Sequence, residues 1–425
     1  MALIFPYKYY IHHVSSKFIN MERCKPMKIA FLTSLDPQDR RSWSGILYCM
    51  VQALQKHCGE VSHIGPLHAP KEELIGRIIN KCTRVLFKKR YKYHYSILMS
   101  KHYAKTVAQQ LAGQGFDLIV APLGSAEIAF LKTDIPTILV GTATLGLLFN
   151  YYPTCLNLVN LSYREMDIIE KHATRMAKAL VYSSPWGARS AIDDYHADPA
   201  KVHVVPMGAN FDNPPAREVI LQKRKSSSCK LLFVGVDWQR KGGGIAFETL
   251  LELEKMGITA ELIICGCTPP KQFTHEKMQI IPFLDKNDPE QHNRLTQLYL
   301  ESDFLLLPTR SDCTPIVFCE ANAYGLPVIT ARTGGVPEVV RDGENGFVLP
   351  FAARGDEYAE VIASVYQDDE CYTRLVCTSR AAYDERLNWD AWGKAMNTIL
   401  SEVVNQGKVN KYHPERGSQS AAYVS

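Results

Sequence analysis

Two carboxylates, Asp312 and Glu320, stand eight positions apart in the run Ser311-Asp312-Cys313-Thr314-Pro315-Ile316-Val317-Phe318-Cys319-Glu320. Apolar runs of the kind buried as strands flank them, Asp303 to Leu307 before and Pro327 to Thr330 after. Thr314-Pro315 can open a helix, because proline fits the first turn, where an N–H has no helical partner in any case. That helix carries Glu320 about a turn and a half past its start. Free backbone N–H groups at such a start attract phosphate. The segment therefore offers an anion cradle, with the amides near Thr314, Pro315 and Ile316 between two carboxylates. A nucleotide-sugar needs such a site: amides for its diphosphate, and carboxylates for hydroxyls of its hexose and ribose.

This stretch resembles the donor-site signature of the retaining glycosyltransferases of family 4, which have the GT-B fold. That signature is a pair of Glu residues spaced as these two acids are, then a small-residue helix ending in Gly-x-Pro-Val. Glu320-Ala321-Asn322-Ala323-Tyr324-Gly325-Leu326-Pro327-Val328 follows it. Gly334-Gly335-Val336-Pro337-Glu338-Val339-Val340 and Asp342-Gly343-Glu344-Asn345-Gly346-Phe347 follow the family's next loop and helix. The first acid departs from the pattern: Asp312 is one methylene shorter than Glu. The resemblance implies that Glu320 holds the ribose, that Asp312 approaches the hexose, and that the backbone over Thr314 to Ile316 holds the diphosphate.

A second loop carries cations. Gly235-Val236-Asp237-Trp238-Gln239-Arg240-Lys241-Gly242 follows a strand. The family usually places Arg directly after the first Gly and Lys before the next one, and the pair stabilises the leaving diphosphate. Lys241 matches, Val236 replaces the Arg, and Arg240 is the candidate second cation. The plain alternative is a solvated basic turn. Ser44-Gly45 follows the first strand of the chain. Gly45 there lets backbone approach a ligand, though a plain strand-to-helix turn fits as well. Gly141-Thr142-Ala143-Thr144 lacks the His or Asp that many relatives carry near the sugar. In this class the leaving phosphate helps to deprotonate the acceptor, so no general base is named.

These loops need a scaffold. Lys28 to Thr33, Asp117 to Ala121, Pro136 to Val140, Ala179 to Tyr182 and Val202 to Val205 read as strands of a first half. Helical patterns alternate with them, among them Gly45 to Lys56 and Arg164 to Lys178. Leu231 to Val234, Glu261 to Cys265, Met278 to Ile281, Asp303 to Leu307 and Pro327 to Thr330 form a second series. The alternation argues for α/β architecture with doubly wound sheets. The resemblance sharpens this to GT-B: two Rossmann-like domains facing a central cleft. The expected acceptor-side domain spans 27–208 and the donor-binding domain 209–387. A returning helix over 388–405 crosses back to the first domain. Residues 1–26 read as a loose extension, or as sequence ahead of a start at Met21 or Met27. Residues 406–425 read as a flexible polar tail.

The apolar share of 46% and charged share of 22% suit a soluble globular protein, and no apolar run approaches the length of a membrane span. Twelve cysteines are scattered without paired Cys-x-x-Cys units, which favours core thiols in a reduced, cytoplasmic setting. The net charge of +4 is uneven. Lys71 to Lys105 holds ten Lys or Arg against Glu72 and Glu73, a local +8. On a helix over Leu74 to Leu86, Ile75, Ile78, Ile79, Cys82, Val85 and Leu86 share one face, and Arg77, Lys81, Arg84 and Lys88 the other. Either the apolar face packs on the core beneath a solvated basic back, or the basic face meets an anionic membrane. No nucleic-acid motif accompanies the charge.

Together these features read as a metal-independent, retaining hexosyltransferase, cytoplasmic or peripheral at the inner membrane face. Its substrates are a nucleotide-sugar donor and a saccharide or lipid-linked acceptor, with no cofactor. The rival readings are a non-catalytic nucleotide-sugar-binding protein and an epimerase or phosphorylase on the same architecture.

Overall fold

Strand β1 (Met27–Leu32) opens a six-stranded sheet with β2 (Gly59–Ile64), β3 (Leu118–Pro122), β4 (Thr137–Gly141), β5 (Ala179–Tyr182) and β6 (Val202–Val204). The computed structural model describes residues 26–412, so the expected extension, apart from Pro26, and the end of the expected tail lie outside it. A second six-stranded sheet holds β7 (Cys229–Val234), β8 (Ala260–Cys265), β9 (Met278–Ile281), β10 (Phe304–Leu307), β11 (Val328–Ala331) and β12 (Gly346–Leu349). The orders are β2-β1-β3-β4-β5-β6 and β12-β11-β10-β7-β8-β9. Every pairing is parallel.

Parallel strands need crossovers, and helices supplying them bury both sheet faces. Hence Leu118 to Ala121 and Phe304 to Leu307 are continuous apolar runs without solvent exposure. Each sheet reverses its winding once, between β1 and β3 in the first and between β7 and β10 in the second. Such switch points open a crevice at the carboxyl ends of the strands. The Ser44-Gly45 turn, the Arg240-Lys241 turn and the Asp312 loop all follow strands at these two points.

The strands absent from the sequence reading are β2 and β12, which sit at sheet edges. An edge strand is half covered, so Gly-Glu-Val-Ser-His-Ile over β2 lacks the apolar run that marks a central strand. The last helix, Trp389–Tyr412, packs back on the first domain through Ile46–His57. Asp390 there binds Lys56 at 2.7 Å and His57 at 2.9 Å. Helix continues past residue 405, so part of the expected tail is helical.

One expectation is inverted. The basic helix runs Pro70–Phe87, and Gly76 is its buried residue. Its apolar face does not meet the core: Leu74, Ile75, Ile78, Val85 and Leu86 are all exposed. The floor beneath is polar. Glu72 pairs with His102 at 2.9 Å, Asn80 accepts from the Tyr91 N–H at 2.9 Å, and Gly76 lies on Tyr93.

Candidate functional site

Asp312 organises the cations. β7 ends at Val234, and the following turn brings Arg240 and Lys241 to the end of β10. Gly242 makes the approach possible: its φ is +80°, and a Cβ there would stand 2.0 Å from the Pro308 carbonyl oxygen. Gly235 leaves room for the Lys241 stem, since a Cβ there would fall 2.8 Å from Lys241 Cγ. The Lys241 Nζ donates to both Asp312 oxygens, at 3.0 and 2.8 Å. Arg240 Nη1 donates to Asp312 Oδ1 and to the Ser311 carbonyl, each at 2.9 Å. The Thr309 hydroxyl donates to Oδ2 at 2.6 Å, and the Tyr152 hydroxyl donates to Oδ1 at 3.4 Å.

This shell is buried, with Asp312 5% and Lys241 8% exposed. Burial pushes the Lys241 amine below its ordinary range, against the pull of Asp312. Two cations face one buried carboxylate. Asp237, 3.8 Å from Arg240, lies in solvent and offsets little. The cluster thus keeps a positive excess that suits a further anion. Val236, at the position expected to hold Arg, is exposed at the surface.

Pro315 caps the following helix, Ile316–Ala323, one position earlier than proline's usual place inside the first turn. The first N–H bonded back is that of Phe318, to the Pro315 carbonyl. The amides of Ile316 and Val317 have no helical acceptor, as at any helix start. Thr314 hydrogen-bonds across the cleft to the Ser183 hydroxyl.

Glu320, which the resemblance assigns to the ribose, follows in the same helix. It is wholly buried, ion-paired with Lys286, and accepts from the Tyr299 hydroxyl at 2.9 Å. Burial and the nearby carboxylate hold the Tyr299 proton far above the ordinary range. Asp312 and Glu320 therefore head two separate clusters, one around Lys241 and Arg240 and one around Lys286 and Tyr299.

The first domain reaches both. Tyr151 Oη accepts from the Asp312 N–H at 2.9 Å and stands 2.9 Å from the Asp312 carbonyl and from Thr333 Oγ1. Tyr152 Oη accepts from the Cys313 N–H at 3.3 Å, and its ring lies 5.4 Å from the Arg240 guanidinium. On the other wall, Trp43, Ser44 and Gly45 are all left-handed, a strained run for the first two. Asn210 holds it, donating to the Ser44 carbonyl at 2.8 Å while accepting from Trp389 Nε1 at 2.9 Å. The adjoining Arg40 N–H donates to Asn287, next to Lys286, at 3.1 Å. Gly45 is thus tied to the domain junction and to the returning helix.

Tyr151, Tyr152, Lys286, Tyr299, Thr309 and Asn210 were not foreseen. An aromatic doublet in a loop, Tyr151-Tyr152, was the available hint. Lys286 offered none. Among the described residues, no three His, Cys, Asp or Glu side chains gather as metal ligands.

The loops after β3 and β4, with the end of β5, line a small cavity of about 50 Å³ beside Ser125, Thr142, Glu170 and Tyr182. Glu170 is 1% exposed with one oxygen unpartnered. Burial pushes its carboxyl up to about 7 from an ordinary 4.5. Between those values the folded chain keeps a proton that the unfolded chain releases. Stability is then fullest below 4.5 and is lost as pH rises through 7. Glu170→Gln removes this slope. Relative to the parent, the variant should gain about 3 kcal/mol between roughly pH 4 and pH 8 in urea unfolding. Parallel pH profiles for the two proteins would count against a protonated Glu170.

Residues 222–382 match the family described as Glycosyl transferases group 1. The chain is 26% identical over 258 residues to the D-inositol 3-phosphate glycosyltransferase of Xylanimonas cellulosilytica, covering 56% of this chain and 60% of that protein. It is 25% identical over 304 residues to the protein of that name from Corynebacterium aurimucosum, covering 66% and 70%. The chain thus spans under two thirds of the first relative's length. Among solved structures, sucrose-phosphate synthase from Thermosynechococcus elongatus superposes with a TM-score of 0.64 at 15% identity, over 89% of this chain and all of that one. Anabaena Alr3699/HepE in complex with UDP and glucose superposes at 0.58 and 15%, over 88% and 100%. These likenesses bear out the expected GT-B fold.

Proposed function

We propose that this chain, whose residues 222–382 match the family described as Glycosyl transferases group 1, moves a hexose from a nucleotide-sugar to a saccharide or lipid-linked acceptor. Transfer proceeds with retention at the anomeric carbon and without a metal ion. The observation that carries this reading is the buried pairing of Lys241 and Arg240 on one carboxylate. Two fixed cations with one counter-charge favour a diphosphate whose charge grows as it leaves. The amides of Ile316 and Val317 add donors at a helix start.

Asp312 orients both cations and is assigned to the hexose. Glu320 is assigned to the ribose, with Lys286 and Tyr299 fixing its carboxylate. The bond from the anomeric carbon to the diphosphate breaks as the acceptor oxygen bonds to the same face. The acceptor proton passes to the departing phosphate oxygen. The names of the inositol phosphate glycosyltransferase relatives, and a similar fold solved with UDP and glucose, support a phosphorylated or hydroxyl-rich acceptor and a uridine-type donor. We assign the protein to the cytoplasm, with a peripheral place at a membrane where the acceptor is lipid-linked.

The second reading, a nucleotide-sugar-binding protein without turnover, draws on Glu320, whose oxygens are already engaged. A panel of nucleotide-sugars, screened by thermal shift and then for release of free nucleoside diphosphate, tests both. One donor should raise the melting temperature and release its diphosphate without added phosphate. Stabilisation with no release on any acceptor pool would favour the binding protein. Dependence on inorganic phosphate would favour a phosphorylase, and conversion of the sugar with no nucleotide release an epimerase.

A further inference from the structure

The helix Pro70–Phe87 is built inside out. Its stripe toward the protein is mostly polar: Glu72, Glu73, Gly76, Asn80 and Thr83, with Ile79. Its outward stripe is apolar. Leu74, Ile75, Ile78, Val85 and Leu86 are between 45% and 71% exposed. Arg77, Lys81 and Arg84 line one edge of this stripe, and Lys88 and Lys89 follow its C-terminal end, all exposed. Arg77 meets Glu73 at 3.3 Å, and the other four have no carboxylate partner among the described residues. A contiguous exposed apolar stripe of this kind marks a contact surface.

Charge selects the occupant. Lys71 to Lys105 carries +8. Residues 1–25 hold four Lys or Arg against Glu22, so they share the sign of the surface. A second copy of the chain would set +8 against +8. An anionic bilayer answers both features at once: acyl chains take the apolar stripe, and head groups take the basic residues beside it.

Position links the stripe to the cleft. Arg90 Nη2 donates to the Leu156 carbonyl at 2.6 Å, and Asn157 Nδ2 to the Lys88 carbonyl at 2.8 Å. That segment continues from Tyr151 and Tyr152, which hold the Asp312 loop, and its Leu156 is itself exposed. The end of the helix is thus one short segment away from the donor site.

We infer that the helix Pro70–Phe87 lies in the plane of an anionic membrane surface, with Leu74, Ile78, Val85 and Leu86 inserted among acyl chains. This deepens the proposed function and rests on it for its purpose, which is to hold the cleft over a lipid-linked acceptor. Flotation of the whole chain with phosphatidylcholine vesicles, with and without phosphatidylglycerol, tests it. The parent should float with anionic vesicles at low salt. It should keep part of that binding at 1 M salt, where the Debye length is only about 3 Å. Replacing Leu74, Ile78, Val85 and Leu86 together by Ser keeps every charge and should weaken binding at least roughly tenfold, removing the salt-resistant part. Replacing Arg77, Lys81, Arg84 and Lys88 by Glu should abolish low-salt binding.

All eight positions are exposed, so unchanged melting and unchanged nucleotide-sugar affinity are expected in both variants. The proposal is overturned if the parent stays free of anionic vesicles, or if the Ser variant binds like the parent at every salt. It is also overturned if the parent sediments as a dimer that the Ser variant lacks, or if vesicles bind only after residues 1–25 are removed. Vesicle binding without affinity for any nucleotide-sugar would instead sink the transfer reading and leave the docking surface standing.

Discussion

Lys241→Ala should lower turnover roughly 10²–10³-fold while leaving affinity for the free nucleoside almost unchanged. The asymmetry follows from where charge develops. A free nucleoside carries no diphosphate, so it does not sense the Lys241 amine. In transfer, negative charge accumulates on the leaving diphosphate, and a cation fixed by Asp312 at 2.8 Å has nothing left to reorganise. The buried site strengthens the effect, because its effective dielectric is below that of water. Removing one partner of a buried pair can cost about 3–5 kcal/mol of stability. Here Asp312 retains Arg240 and Thr309, so the loss should sit at or below the lower end. Urea unfolding beside kcat separates the two effects. Arg240→Ala is the companion: it should also slow turnover, and the double variant should be slower than either. Full activity in all three would remove the cation clamp from the mechanism.

The parts of this molecule visible in its sequence are those that depend on neighbours along the chain. Asp312 and Glu320 are fixed relative to each other by one helix start, and Lys241 follows β7 by one short turn. The central strands betray themselves as apolar runs because both of their faces are covered. What escaped notice depends on residues far apart. Tyr151 meets Asp312 across 161 positions, and Asn210 meets Trp389 across 179. Nothing in a tyrosine doublet says which loop it will touch. The helix Pro70–Phe87 shows a further limit. Spacing reveals that it has an apolar and a basic side, but periodicity carries no label for which side meets protein. Gly76 settles it locally: without a side chain there, the helix can lie on Tyr93, which turns Leu74, Ile78 and Leu86 outward.

Glu320→Gln should weaken donor binding by roughly tenfold to a hundredfold, the worth of a hydrogen bond to a charged group. The substitution conserves shape, which matters because Glu320 has no exposure at all. Gln can still accept from the Tyr299 hydroxyl. Lys286 loses its counter-charge but keeps 17% exposure, so water can compensate it. Stability should therefore fall only modestly. Lys286→Ala inverts the problem. It leaves a carboxylate buried with a hydroxyl as its remaining named partner, and should cost more, about 3–5 kcal/mol. Combining Glu320→Gln with Lys286→Ala removes both charges and should recover part of that loss. Urea unfolding of the three variants reads the order of stability, and calorimetric titration with the donor found in the nucleotide-sugar panel reads the affinity. If Glu320→Gln binds that donor as the parent does, the carboxylate belongs to the core with Lys286 and Tyr299, and the ribose is held elsewhere.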